Sequence, residues 1–146
     1  MRVTIRRGVK EDADLLKALD TVVPLDPTRA ERIDRWLAYD DVLVAEVESS
    51  VTGCGVYNRS FFHQGNVDML MVAAAHRGQR VGEHLLLGLE TLCDTPKLWV
   101  TTNLSNHRMQ NLLRRLSYEP GGYIHELDPG DPELIFFKLL QPLESK

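Results

Sequence analysis

The run His76-Arg77-Gly78-Gln79-Arg80-Val81-Gly82 gathers two glycines and three basic side chains into seven positions. Before it, Met69 to Val72 is apolar and reads as a strand. After it, Val81, Leu85, Leu89 and Leu92 recur at helical spacing. A strand feeding a glycine-bearing basic turn and then a helix suits a phosphorylated ligand. The first turn of a helix carries N–H groups with no internal partner, and its dipole favours an anion. Glycine lets that anion approach the backbone closely. Two common phosphate motifs do not fit. The fingerprint G-x-G-x-x-G needs a spacing that Gly78 and Gly82 lack, and G-x-x-x-x-G-K-[ST] fails because Glu83 and His84 follow Gly82. Taken alone, the turn could also be an ordinary strand-to-helix connection.

Other side chains offer acid–base chemistry. Asp68 lies on the same strand, four residues before Val72, and alternation places it on the face of Leu70 and Val72. It is a candidate base acting through water, or a strand-end aspartate in solvent. His63 has a suitable intrinsic pKa but falls in an expected loop from Asn58 to Gly65, with Arg59, Phe61 and Phe62. The two phenylalanines either line a pocket or anchor the core. Tyr118 and Tyr123 follow a later helix, and Tyr118 reads mainly as a core residue. His84 and His107 fall on helix surfaces. No group of residues has metal-ligand spacing, so no metal is expected. Cys54 and Cys93 sit in apolar segments and read as buried free thiols.

The elements that must position these residues follow from pattern. Arg2 to Arg6 alternates as a strand, and Lys10 to Asp20 reads as a helix with Glu11 and Asp12 at its favourable end. After Pro24 and Pro27, Thr28 and Glu31 suggest a capping box, with Ile33 and Leu37 facing inward. Val42 to Val47 is continuously apolar, as in a strand covered on both faces. Val51 to Tyr57 is the next strand. Lys97 to Thr102 is another, followed by a helix from Asn106 to Leu116 capped by Ser105 or Asn103. Gly121-Gly122 interrupts a strand running to about Leu127. Asp128 to Pro132 is a turn by composition, and Leu134 to Leu140 is the last strand. Hairpins joined with helical crossovers imply a mixed sheet.

The 146 residues predict one domain, residues 1–146, large enough for a proper core. A net charge of −4 argues against nucleic acid or an anionic membrane as partner. No apolar run reaches 18 residues, the start lacks a signal-peptide core, and two cysteines suit a reducing compartment. A cytoplasmic location is the expectation.

Leu70-Met71-Val72 followed by Arg77-Gly78-Gln79-Arg80-Val81-Gly82 resembles the coenzyme A signature of the GNAT N-acetyltransferase superfamily. That signature reads Arg or Gln, two residues, Gly, one residue, Gly or Ala. Arg77 and Gly82 match its ends, and Arg80 stands at its middle glycine. Asn106 to Tyr118 is similar to the family's second motif, an asparagine opening a helix that ends Leu-Tyr-x-x-x-Gly-Phe. Asn106 and Leu112 match, while Leu113, Ser117 and Tyr118 replace the tyrosine, glycine and phenylalanine. The start, Ile5-Arg6 with Glu11-Asp12-Ala13 and Leu16, also looks like the family's opening. The resemblance covers nearly the whole chain.

It implies an α/β (α+β) GNAT fold: a mixed, mostly antiparallel central sheet with a splayed parallel strand pair and about four flanking helices. It implies acetyl-CoA as acetyl donor. Leu70, Met71 and Val72 would pair with pantetheine as an added strand. The N–H groups of Gly78, Gln79, Arg80, Val81, Gly82 and Glu83 would hold the pyrophosphate, with Arg77 at the turn's entry. Asn106 would meet the pantetheine or acetyl region. The acceptor is a primary amine of a small molecule or a protein, and it must lose a proton. At a lysine-like pKa of about 10.4, only about one amine in two thousand is neutral at pH 7. The glutamate and tyrosine that some relatives use stand as Thr101 and Leu113 here, leaving Asp68 and Tyr118 as catalytic candidates. The rival reading is an acyl-CoA-binding regulatory or sensor module without transfer. A homodimer through the sheet edge stays open.

Overall fold

The computed structural model describes residues 2–142. These residues form seven strands and four α-helices in the expected order. β1 (Val3–Arg7) leads to α1 (Ala13–Leu19) and α2 (Thr28–Tyr39). β2 (Asp41–Val47), β3 (Ser50–Phe61) and β4 (Gln64–Val72) follow, then α3 (Val81–Leu92) and β5 (Lys97–Asn103). α4 (His107–Arg115), β6 (Glu119–Asp128) and β7 (Asp131–Leu139) complete the chain. The sheet order is β1-β2-β3-β4-β5-β7-β6. β4 and β5 run parallel, through Gly65↔Leu98, Asn66↔Trp99 and Val67↔Val100. The pairs β1–β2, β2–β3, β5–β7 and β6–β7 are antiparallel. This is the mixed α+β GNAT fold that the motif order implied.

The chain divides into two compact units: residues through Asn58 with Asp68–Leu92, and Arg59–Val67 with the chain from Cys93 onward. In the first, Leu16, Ile33 and Trp36 pack on Val42, Val44, Cys54 and Val56, with Met69 and Met71 against them. The other side of the same strands takes α3, whose Leu85, Leu86 and Leu89 have no exposed surface. β2 is thus covered on both faces, which explains its unbroken apolar run. Close approach demands glycine here. A Cβ on Gly53 would lie 2.4 Å from the Met71 carbonyl oxygen.

In the second unit, alternate residues of β5, Leu98, Val100 and Thr102, are buried with Leu113, Tyr118 and Phe136. Trp99, on the opposite face, stacks with Phe61 and Phe137, ring centroids 5.2 Å apart in each case.

Several local expectations give way. Thr28 does not cap α2. It is the helix's first residue, and Asp26 accepts both its N–H, at 3.0 Å, and its hydroxyl, at 2.7 Å. The aspartate two residues upstream supplies the local acceptor, as short acidic side chains do in turns. The expected loop from Asn58 to Gly65 is a tight hairpin instead. β3 continues to Phe61, and Phe62 and His63 turn the chain with φ of 51° and 63°. A two-residue turn of type I′ needs positive φ at both positions, and the absence of glycine or asparagine hid this one. Asn106, rather than Ser105 or Asn103, caps α4. The glycine pair does not break β6. It produces a register shift between Pro120 and Gly122, with φ of 129° at Gly122.

Candidate cofactor turn and catalytic residues

β4 ends at Val72, and the Ala73 N–H donates to the Thr52 carbonyl at 2.7 Å, fixing where the chain leaves the sheet. A single 3₁₀ turn, Ala74–His76, carries it to the basic run. Gly78 and Arg80 then adopt left-handed backbone, φ 81° and 63°. α3 starts at Val81, whose side chain is 1 % exposed and anchors the turn to the core. The His84 N–H reaches the Arg80 carbonyl at 3.1 Å and closes the first helical turn. His84 Nδ1 lies 2.8 Å from the same oxygen. A carbonyl can only accept, so Nδ1 carries the proton. His76 Nδ1 and Gln79 Oε1, 3.0 Å apart, brace the other side.

The backbone N–H groups from Gly78 to Gly82 precede the first intrahelical bond of α3, which the His84 N–H donates to the Arg80 carbonyl. A turn with left-handed residues that leads into a helix start forms a concavity suited to an anion. Open space of more than 4 Å surrounds the Cβ position of Gly78. Arg77 and Arg80 are exposed beside it. Leu70, Met71 and Val72 lie at the end of β4 that leads into this turn, each half-buried.

Asp68 differs from expectation in its surroundings. Strict alternation would put it with Leu70, away from α2. Its Oδ2 instead accepts the Trp36 Nε1–H at 2.9 Å, while Leu70 lies beside Gly55, next to Leu89 of α3. Consecutive Asp68 and Met69 both meet α2, since Arg29 donates to the Met69 sulfur at 3.4 Å. Trp36 is the residue sequence reasoning passed over. Its place between Ile33 and Leu37 completes the i, i+3, i+4 stripe, so the signal was present. Its ring also carries the Arg32 guanidinium at 4.9 Å from the centroid. Trp36, Asp68, Arg32, Arg35, Tyr39 and Asp40 line a surface cleft of about 300 Å³.

Behind this cleft Arg29 pairs with the buried Asp20 at 2.9 Å. Burial pushes the Cys54 thiol up to about 12, so it stays protonated and chemically quiet. Cys93 is also a buried free thiol.

In the second unit, Asn106 Oδ1 accepts the Met109 N–H at 3.2 Å. Tyr118 is 4 % exposed. Its N–H bonds the Leu113 carbonyl at 2.9 Å, and the Ser117 N–H bonds Arg114 at 3.1 Å. With Ser117 at φ 71°, this is a Schellman ending with serine where glycine is usual. Phe62 and His63 are exposed at their hairpin. His107 is exposed on the first turn of α4. Among the described residues no three His, Cys, Asp or Glu side chains gather as a metal site. No described helix is long and apolar enough to cross a membrane.

The seven-stranded mixed sheet with this turn defines an acetyltransferase architecture. A Bacillus cereus GNAT-family acetyltransferase superposes with a TM-score of 0.88 at 23% identity, covering 95% of this chain and 98% of its own. A Salmonella typhimurium acetyltransferase, solved with its cofactor acetyl-CoA, gives 0.80 at 18% identity, covering 100% and 98%. In sequence, a Bacillus subtilis (strain 168) protein described as a ribosomal protein bS18-alanine N-acetyltransferase is 28% identical over 105 residues, 68% of each chain. The model of the acetyltransferase (GNAT) family matches residues 13–118. The chain belongs to that family, the N-acetyltransferases that draw the acetyl group from acetyl-CoA.

Proposed function

We propose that the chain, acting as one catalytic domain, moves an acetyl group from acetyl-CoA to a primary amine, with the pyrophosphate seated on the N–H row from Gly78 to Gly82. The observation that carries this is the turn itself, with Gly78 and Arg80 in left-handed backbone just ahead of the start of α3. Glu83 follows in the first turn of α3, and Arg77 and Arg80 add positive charge beside the turn. Leu70, Met71 and Val72 would offer backbone groups to the pantetheine arm. Asn106 would meet the pantetheine or acetyl region through its Nδ2 group, its Oδ1 accepting the Met109 N–H in the α4 cap.

The bound donor supplies a thioester carbonyl. The chain's own task is to take a proton from the amine. Asp68 is the candidate, through water, and the Trp36 N–H holds its carboxylate in place. Tyr118 is the other polar candidate, and its burial favours a structural role. Two buried thiols fit a reducing, cytoplasmic setting. A second reading, a protein N-terminal alanine as acceptor, is supported by the description of the Bacillus subtilis relative.

Acetyl-CoA at about 100 times its dissociation constant should add about 2.7 kcal/mol of stability. Gly82→Val should weaken that effect, because a branched side chain obstructs approach to the row. Thiol release in a panel of amines separates an enzyme from a binding module. A thermal shift without release on any amine favours the module, and no shift at millimolar acetyl-CoA removes the turn assignment.

A further inference from the structure

The cleft on α2 has a charge pattern of which the transfer chemistry uses only Asp68. Arg32 and Arg35 are three residues apart on α2, hence neighbours on its surface. Both are exposed, and Arg32 is near enough to Asp26 to help hold that carboxyl low, after the Thr28 hydrogen bonds. The adjacent basic residues of this region are engaged: Arg29 with Asp20 and Lys17 with Asp34, each at 2.9 Å. The same cleft holds two carboxylates, Asp40 and Asp68. Asp40 is close to the Asn58 amide, at 3.4 Å, and Asp68 takes the Trp36 N–H. The Trp36 indole therefore spans the cleft. Its ring faces the Arg32 cation and its N–H meets the Asp68 anion.

We propose that this cleft seats the acceptor and selects an amine whose molecule also bears a carboxylate. The proposal rests on the transfer reading above and adds the substrate class. The carboxylate is held by Arg32 and Arg35, whose planar forks match it with paired charge-assisted bonds. The amine lies toward Asp68, the candidate base. A cleft of about 300 Å³ suits a small molecule or a peptide end. Separated positive and negative lining orients a zwitterion in one direction and disfavours the reverse. The carboxylate can belong to a free amino acid or to an acidic side chain beside a peptide N-terminus.

Binding is read without transfer. Trp36 and Trp99 are the two tryptophans of the chain, so Trp99→Phe leaves Trp36 as sole fluorophore. In that background, and in the presence of acetyl-CoA, β-alanine and 4-aminobutyrate are titrated against their carboxamides. The dipeptide Ala-Asp-amide is titrated against Ala-Asn-amide. At least one carboxylate should bind tenfold or more tightly than its amide partner. Arg32→Gln and Arg35→Gln should each shrink that ratio severalfold, and high salt should shrink it too. Parallel thiol-release kinetics should show the same ratio in kcat/KM.

A preference in the dipeptides alone places the carboxylate on a protein end, within the proposal. A preference in binding with no thiol release supports the carboxylate site and refutes the transfer reading. Thiol release with acid and amide treated alike refutes the carboxylate site and leaves transfer intact. Absence of any discrimination in both assays overturns the proposal, as does a preference untouched by both arginine substitutions.

Discussion

Arg80 stands where the signature has glycine, yet its backbone keeps glycine's conformation, φ 63°. An L-residue pays roughly 1–2 kcal/mol to sit there. Arg80→Gly removes that strain, and Arg80→Ala does not. Both variants delete the same exposed guanidinium, so its loss cancels in the comparison. Glycine also enlarges the freedom of the unfolded chain, which takes back about 0.4–1 kcal/mol. The glycine variant should therefore be more stable than the alanine variant by about 0.5–1 kcal/mol. Urea unfolding resolves this. With a slope of about 2 kcal/mol/M, the midpoints should differ by roughly 0.3–0.5 M. Ser117, at φ 71° in the Schellman ending of α4, is an internal standard. Ser117→Gly against Ser117→Ala should show a difference of the same sign and size. If position 117 shows it and position 80 gives alanine equal to or above glycine, the turn does not hold its left-handed residue in solution. The geometry assigned to the N–H row would then be wrong.

Three more outcomes follow from the structure. Gly53→Ala puts a Cβ where the Met71 carbonyl oxygen lies 2.4 Å away; backbone cannot rotate aside, so thermal unfolding should show a loss of about 1–3 kcal/mol or more. Asp12 accepts two bonds from Arg6 and one from the Val9 N–H, and the Arg6 bond comes first in holding its carboxyl below the ordinary 3.8. Its contribution is therefore fully present above about pH 3.8 and lost as pH falls through the lower folded value, so Asp12→Asn should be less stable at neutral pH but show a shallower acid limb. Asp68→Asn should cut turnover by about 10²- to 10⁴-fold with acetyl-CoA affinity kept, whereas Tyr118→Phe should stay within about tenfold; steady-state kinetics with the reverse ranking would exchange their roles.

The element order was legible because each helix and strand carries its own period. α3 shows it in Val81, Leu85 and Leu89, all buried. β2 shows it in its unbroken apolar run. What stayed hidden were features that depend on one backbone angle or one long-range contact. The Phe62-His63 turn lacks the residues that announce positive φ. The Asp68–Trp36 bond joins residues 32 apart in sequence, and no periodicity points across that distance. The cleft on α2 was invisible for a simpler reason. Arg32 and Arg35 look like any solvated helix face until Trp36 and Asp68 are placed beside them.

The two departures from the glycine pattern differ in what they can gain. Ser117 and Arg80 both accept a left-handed backbone, each at roughly 1–2 kcal/mol. The Ser117 side chain is exposed and small, and its backbone does what glycine would do, closing α4 so that Tyr118 enters the core. Nothing in the structure offsets its strain. Arg80 places a cation beside the N–H row of Gly78–Gly82. A hydrogen bond between charged groups contributes about 1.5–3 kcal/mol, enough to match the strain, but only when an anion occupies the row. The strain is then carried by the free protein and offset in the complex. On this argument, the stability gained in Arg80→Gly should be accompanied by weaker binding of acetyl-CoA, and the gained stability in Ser117→Gly should not.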